Sequence, residues 1–220
     1  NYFTNIAQEL VSEIPLSNSS PNSYLRNRKP NSFFLSNVEN CEIEDVLNEL
    51  KDNGCGIFKF STRVLNNIKT IISSTLATII NLCVTQGYFP VQLKKGCITP
   101  VFKKGDKSQI SNYRPVCSLS PLSKIIEKVI YNRMVKYIDS NNIFSDSQFG
   151  FRKKKISTET ALMNFIDYVH EGLTEKQFVG SIFMDLSKAF DVMSHSILKT
   201  KLEHYGFRGE FLNFLMSFLE

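Results

Sequence analysis

The sequence predicts an α+β fold. Helical periodicity dominates most of the chain, two short β-forming runs near Ile98 and Val116 flank a basic turn, and the element order is irregular. Helix, hairpin, helix, helix, strand, helix is not the regular alternation of a βαβ winding. At 220 residues, 42% hydrophobic and 21% charged, the chain has material for a sizeable core in one or two domains and is not a disordered polymer by composition.

Taken in order, Tyr2 to Ile14 reads as helix, and Pro15 to Asn37, rich in Ser, Asn and Pro, as an irregular and partly mobile connector. Asn40 can cap the next helix, whose core stripe is Ile43, Val46, Leu47 and Leu50 and which Gly54 and Gly56 stop. A longer helix from about Thr62 to Thr85 is apolar on most sides and is expected to be a core element, ended by Gly87 with Pro90 beyond.

From Cys97 the pattern turns extended. Ile98 to Phe102 and Tyr113 to Leu119 read as two strands joined by Lys103-Lys104-Gly105-Asp106-Lys107-Ser108, a hairpin whose tip is either an ordinary charged turn or a loop lying over phosphates. On the returning strand Arg114 offers bidentate contact to phosphate, and Lys103 and Lys104 add point charges. Ser120 as cap and Pro121 in the first turn open a helix with the apolar face Leu122, Ile125, Ile126, Val129, Ile130, Met134 and Ile138. Lys124, Lys128, Arg133 and Lys136 on its other face read as a solvated surface.

A basic loop with interleaved aromatics follows, Gln148-Phe149-Gly150-Phe151-Arg152 and then Lys153, Lys154 and Lys155, a composition that suits single-stranded nucleic acid. The next helix is capped at Ser157 or Thr158 and ends near Gly172. Phe178 to Leu186 reads as a strand with Phe178, Ile182, Met184 and Leu186 on one side and Asp185 on the other. A carboxylate there must be solvated, matched to a cation or bound to a metal. Two helices, Ser196 to His204 and Glu210 onward, hinge at Gly206 and Gly209.

The net charge of +5 is unevenly spread. Between Lys94 and Lys155 lie 14 of the 26 Lys+Arg and 4 of the 21 Asp+Glu, a local +10 that points to nucleic acid rather than plain surface. Cys41, Cys55, Cys83, Cys97 and Cys117 show no Cys-x-x-Cys and no nearby His, so they read as reduced thiols of an intracellular protein. His170, His195 and His204 have no ligand or triad spacing. Ile68 to Val84, the greasiest stretch, is broken by polar residues and reads as a buried helix with no membrane partner. Asn1 in place of Met and the apolar run to Leu219 read as cut ends.

Four segments share an order and spacing: Ile98-Thr99-Pro100-Val101-Phe102-Lys103-Lys104-Gly105-Asp106, Asn112-Tyr113-Arg114-Pro115, Gln148-Phe149-Gly150-Phe151-Arg152 with Ser157-Thr158, and Phe183-Met184-Asp185-Leu186-Ser187-Lys188-Ala189-Phe190-Asp191. Together they closely resemble the reverse transcriptase of non-LTR retrotransposons, the jockey-like group in particular. The resemblance implies a right-hand polymerase fold, with residues 1–90 as an N-terminal helical extension, 91–175 as fingers and 176–220 as the start of the palm. It further implies RNA-templated DNA synthesis from deoxynucleoside triphosphates on a DNA primer, with two Mg²⁺ ions in the complete site, and a nuclear place of integration.

Residue by residue, Asp185 matches the family's first metal-binding carboxylate, and Leu186 would add its backbone carbonyl. Phe190 matches the ring beneath the sugar that rejects a 2′-hydroxyl. Lys103 or Lys104 with Arg114 match the holders of the incoming triphosphate, and Arg152, Lys153, Lys154 and Lys155 are expected along the template.

The family's downstream Ala-Asp-Asp type signature does not occur in the sequence, so this stretch alone is expected not to polymerise. Other departures are Phe58 where the family carries Asp, four residues between Arg152 and Ser157 instead of three, and Val192 where Thr is usual. The alternative function is a non-catalytic remnant that binds RNA or an RNA–DNA duplex.

Overall fold

The computed structural model describes residues 10–12, 14–15, 18–25, 28–51, 60–152, 158–186 and 188–220. The expected first helix, the glycine stop at Gly54 and Gly56, Phe58, Lys153, Lys154, Lys155 and Ser157 lie wholly or mostly outside them. Mixed helix and sheet is observed, in two compact units: Asn1–Tyr137 with Phe190–Glu220, and Ile138–Ala189.

In the first unit, α1 (Asn40–Glu49) buries Ile43, Val46 and Leu47, as the stripe predicts. Its N-cap is Glu39, with no side-chain cap bond, so Asn40 is the first helical residue rather than the cap. The helix expected over Thr62 to Thr85 is two, α2 (Thr62–Asn67) and α3 (Lys69–Thr85), broken at Ile68 with φ −114° and ψ 18°. Asn66 and Asn67 precede the break, and both have side chains that compete for backbone hydrogen bonds. α3 packs on α1 and buries a stripe of Ser73, Ala77, Ile80 and Cys83. Ile71, Ile79 and Leu82 remain exposed, so α3 is covered along one stripe and not on most sides.

After α4 (Val91–Lys94) come β1 (Cys97–Phe102) and β2 (Tyr113–Ser118), an antiparallel pair joined through a short 3-10 turn at Ile110–Asn112. It is the only sheet among the described residues. The register pairs Phe102 with Tyr113, Pro100 with Pro115 and Ile98 with Cys117. The Lys103 amide donates to the Asn112 carbonyl at 2.9 Å. By the alternation of antiparallel ladders, Pro100 and Pro115 therefore face each other at a pair that exchanges no hydrogen bonds, the one kind of site where a missing N–H costs the ladder nothing.

α5 (Pro121–Ser140) starts as predicted: the Ser120 hydroxyl accepts from the Ser123 amide at 3.1 Å, and Ile125, Ile126, Val129 and Ile130 are buried. Its polar face is not simply solvated. Arg133 forks onto Glu42 of α1, Nε to Oε1 at 2.9 Å and Nη2 to Oε2 at 2.6 Å, and also donates to the carbonyls of Ser36 and Asn37. Lys128 pairs with Glu49 at 3.1 Å.

The next helix along the chain, α6 (Thr158–Thr174), belongs to the second unit; α7 (His195–His204) and α8 (Gly209–Leu219) close the first. Phe89, almost fully buried, meets Phe214 and Phe218 of α8 and donates its amide to the Ser217 hydroxyl. The segment 28–38 is irregular, as expected, but anchored along its length. The Lys29 and Phe33 amides donate to the carbonyls of His204 and Gly206, the Tyr137 hydroxyl donates to the Asn31 carbonyl, Arg208 donates to Lys29 and Ser32, and the amide and carbonyl of Val38 bond the Asn81 side chain. The ring of Phe33 sits among Tyr137, Phe207 and Phe211.

Glu127 of α5 is half-buried, and its Oε1 has no hydrogen-bond partner among the described residues. Burial pushes its carboxyl above the usual carboxylate range, with Lys124 opposing. A raised acid holds its proton more tightly folded than unfolded, so its contribution to stability is best below the unfolded value near 4.5 and falls as pH climbs through the folded one. Glu127→Gln is expected to melt above the unaltered chain at pH 7, with the difference closing by about pH 4 in a thermal scan.

The second unit holds the end of α5 from Ile138, α6 and the segment leading to Ala189. α6 runs slightly past Gly172 and stops where Lys176 takes φ +57° and the Gln177 amide bonds the Gly172 carbonyl at 2.8 Å. Beyond it, Val179 packs onto Gly172 and the Phe183 ring meets Phe165 at 5.6 Å. The strand expected over Phe178 to Leu186 is not formed: residues 177–186 carry no strand and pair with no strand among the described residues. A strand exists only through its ladder, and without one Ile182 and Met184 each stand 88% exposed.

Candidate nucleotide and nucleic-acid interface

The hairpin positions three of the expected site residues. Arg114 pairs with Val101 in the register, which puts its side chain on the ribbon face opposite Phe102 and Tyr113. Lys103 and Lys104 follow β1 directly in the loop, and all three cations are exposed. Among the described residues none of the three enters an ion pair, whereas Lys128 and Arg133 are taken up by Glu49 and Glu42. The basic third is therefore less uniform than its charge count: part of α5 is neutralised from α1, whereas the hairpin cations are exposed to solvent.

The tip is built by its own polar groups. Asp106 accepts from the Ser108 amide at 2.9 Å, Asn112 donates from its side chain to the Asp106 carbonyl at 2.8 Å, and the Tyr113 hydroxyl donates to the Lys107 carbonyl at 3.0 Å. Lys107 lies over the Phe102 ring at 5.7 Å, and that ring meets Tyr113 edge to face. Hydrogen bonds from Ser108 hold the Asp106 carboxyl below the usual carboxylate range. The sequence motifs do not single out Asp106, although Asp-x-Ser after a glycine is the usual signal of a side-chain-capped turn.

Asp185 and Leu186 lie in the second unit, both exposed, in the segment that forms no ladder. Arg152 belongs to the same unit, half-buried, with its guanidinium over the Phe144 ring at 5.4 Å and a bond to the Ser145 carbonyl at 3.2 Å. Its charge is thus partly engaged by its own loop. Lys153, Lys154 and Lys155 lie outside the described residues. Phe190, 76% exposed, follows the turn at Lys188 and is assigned to the first unit.

Mg²⁺ takes oxygen donors and is commonly held by one or two carboxylates together with substrate phosphates. Asp185 and the Leu186 carbonyl offer that donor type, and among the described residues no group of three or more His, Cys, Asp or Glu stands ready to hold a metal. Two such donors alone are too few for the ion's six positions, and phosphate oxygens of a ligand are of the donor type that would complete them. No described helix is long and apolar enough to cross a membrane.

Residues 101–219 match the family model described as "Reverse transcriptase (RNA-dependent DNA polymerase)", a stretch that takes in the hairpin loop, Arg114, Arg152, Asp185 and Phe190. Among curated proteins, the chain is 28% identical over 190 residues to "Probable RNA-directed DNA polymerase from transposon X-element" of Drosophila melanogaster, covering 84% of this chain and 20% of that protein. It is 32% identical over 146 residues to "RNA-directed DNA polymerase from mobile element jockey" of the same fly, covering 66% of this chain and 16% of the relative. The same 32% over 146 residues holds for "Probable RNA-directed DNA polymerase from transposon BS". The chain spans about a fifth or less of the length of these relatives. With the match running through more than half of its residues, the chain belongs to the reverse transcriptase (RNA-dependent DNA polymerase) family, and the relatives named above come from mobile elements.

Proposed function

We propose that this chain contributes the nucleotide-holding fingers and the first metal-binding carboxylate of an RNA-directed DNA polymerase, with residues 91–175 as fingers and 176–220 opening the palm. The observation that carries this reading is the exposed hairpin tip, whose Lys103, Lys104 and Arg114 have no ion-pair partner among the described residues of a chain in this family.

In the proposed reaction a primer 3′-hydroxyl attacks the α-phosphate of a deoxynucleoside triphosphate opposite an RNA template, an O–P bond forms and pyrophosphate leaves. Lys103, Lys104 and Arg114 grip the triphosphate and turn its α-phosphate toward the primer. Asp185 and the Leu186 carbonyl would hold Mg²⁺. When bound, such ions lower the pKa of the attacking hydroxyl and offset charge on the leaving oxygens. The ring of Phe190 occupies the space a 2′-hydroxyl would need and so selects deoxynucleotides. Arg152, with Lys153, Lys154 and Lys155, follows the template backbone.

The test is the salt dependence of binding. Fluorescence anisotropy with an RNA–DNA primer–template is expected to show affinity falling with a log-log slope of about −0.7 to −0.9 per phosphate contact. Replacing Lys103, Lys104 and Arg114 together by Ala is expected to weaken binding of a fluorescent deoxynucleoside triphosphate by about tenfold or more, since these cations are assigned to the triphosphate. A primer–template affinity indifferent to salt, or triphosphate binding unchanged in the triple variant, overturns the reading.

A further inference from the structure

We propose that Asp106 is a positioning residue of the hairpin tip, holding the loop in the one shape that presents Lys103 and Lys104 to the polyphosphate of a nucleotide. This rests on the nucleotide-holding reading of that tip.

The starting point is an electrostatic conflict. Asp106 is two residues from Lys104 and next to Lys107, so its charge works against any anion the loop receives. Across about 8 Å of water that repulsion weakens anion binding about twofold. The hydrogen bonds give the acid its use. Asp106 accepts through its side chain from the Ser108 amide at 2.9 Å and through its carbonyl from Gln109 at 3.2 Å and from the Asn112 side chain at 2.8 Å. Asn112 in turn accepts the Lys103 amide at 2.9 Å.

The carboxylate thus pins the turn Asp106–Ser108, while a series of bonds runs from the Asp106 main-chain carbonyl through Asn112 to the amide of Lys103, the first residue after β1. Every member of it lies within residues 103–112, on an exposed loop away from the buried core. Loosening it frees the lysines without unfolding the unit, and an anion must then order them again on binding.

Charge and geometry predict opposite signs, which makes the role testable in the 220-residue chain. Asp106→Asn keeps an oxygen for the Ser108 amide and loses the charge; Asp106→Ala loses both. A fluorescent deoxynucleoside triphosphate in Mg²⁺ buffer is titrated with each variant, and tripolyphosphate is used as competitor. Asp106→Asn is expected to bind as well as the unaltered chain or about twofold better. Asp106→Ala is expected to bind about fivefold worse, the equivalent of ordering one more residue's backbone. Asn112→Ala changes no charge and removes the bond to Asp106, and it is expected to weaken binding in the same direction.

Equal strengthening by Ala and Asn, weakening by both, or an indifferent Asn112→Ala each overturns the positioning role while leaving the tip as a nucleotide holder. Failure of the unaltered chain to bind the nucleotide overturns the underlying reading, and the role of Asp106 with it.

Discussion

Gly206→Ala is expected to destabilise the chain by about 3–4 kcal/mol, most of it steric. Gly206 stands at φ +103°, where an L side chain is strained, and an added methyl would collide with the Tyr137 hydroxyl and the Asn31 carbonyl. Those two groups are bonded to each other at 2.8 Å, and the Gly206 carbonyl accepts the Phe33 amide at 2.8 Å. The substitution therefore pushes the anchored segment 28–38 off the corner between α7 and α8. Gly209 is the natural control, because it has φ +63° and, beyond its chain neighbours and its own helix backbone, nothing within 4 Å of the place a methyl would take; Gly209→Ala is expected to cost only about 1–2 kcal/mol of backbone strain. Urea midpoints of the two variants, with hydrogen exchange at Phe33, check the comparison. Equal losses would mean that the close approach at Gly206 carries no weight.

Arg133→Ala is the second large effect, expected to cost about 3 kcal/mol. The guanidinium and the Glu42 carboxylate are only 19% and 25% exposed, so removing the arginine leaves an acid with little water and two backbone carbonyls, of Ser36 and Asn37, without their donor. Arg133→Lys is expected to recover less than half of the loss, since an ammonium cannot fork onto a carboxylate and reach the carbonyls as well. A double-mutant cycle with Glu42→Gln, read by urea denaturation, is expected to give a coupling above about 1 kcal/mol. A coupling near zero would leave Arg133 as ordinary surface charge.

These two residues mark where a sequence stops being informative. Arg133 reads as solvated because its helix presents it opposite the apolar stripe, and its partner Glu42 lies 91 residues upstream. No local pattern announces such a pair. The same holds for segment 28–38, whose Ser and Asn composition correctly signals irregular backbone while its anchors, Asn81, Tyr137, Gly206 and Arg208, are scattered along the chain.

Elements with local causes are legible. The hairpin follows from alternation around a glycine-containing basic turn, α5 from Ser120 and Pro121, and the α7–α8 corner from its two glycines. Phe178 to Leu186 shows the limit from the other side: periodicity names a face, but a ladder needs a partner. Of the candidate site, the motifs single out Asp185, Phe190, Lys103, Lys104 and Arg114. The support beneath the lysines, beginning at Asp106, comes into view only with the loop's hydrogen bonds.

The facing prolines of the ribbon bear on how this chain survives in a crowded solution. A two-stranded ribbon with both sides in water offers two free edges, each an invitation to a strand from a neighbouring molecule. At Pro100 and Pro115 the backbone nitrogens point to those edges and carry no hydrogen, so any would-be third strand meets a gap in the middle of its ladder. The ribbon can thus stay slender and uncovered while remaining a poor template for aggregation.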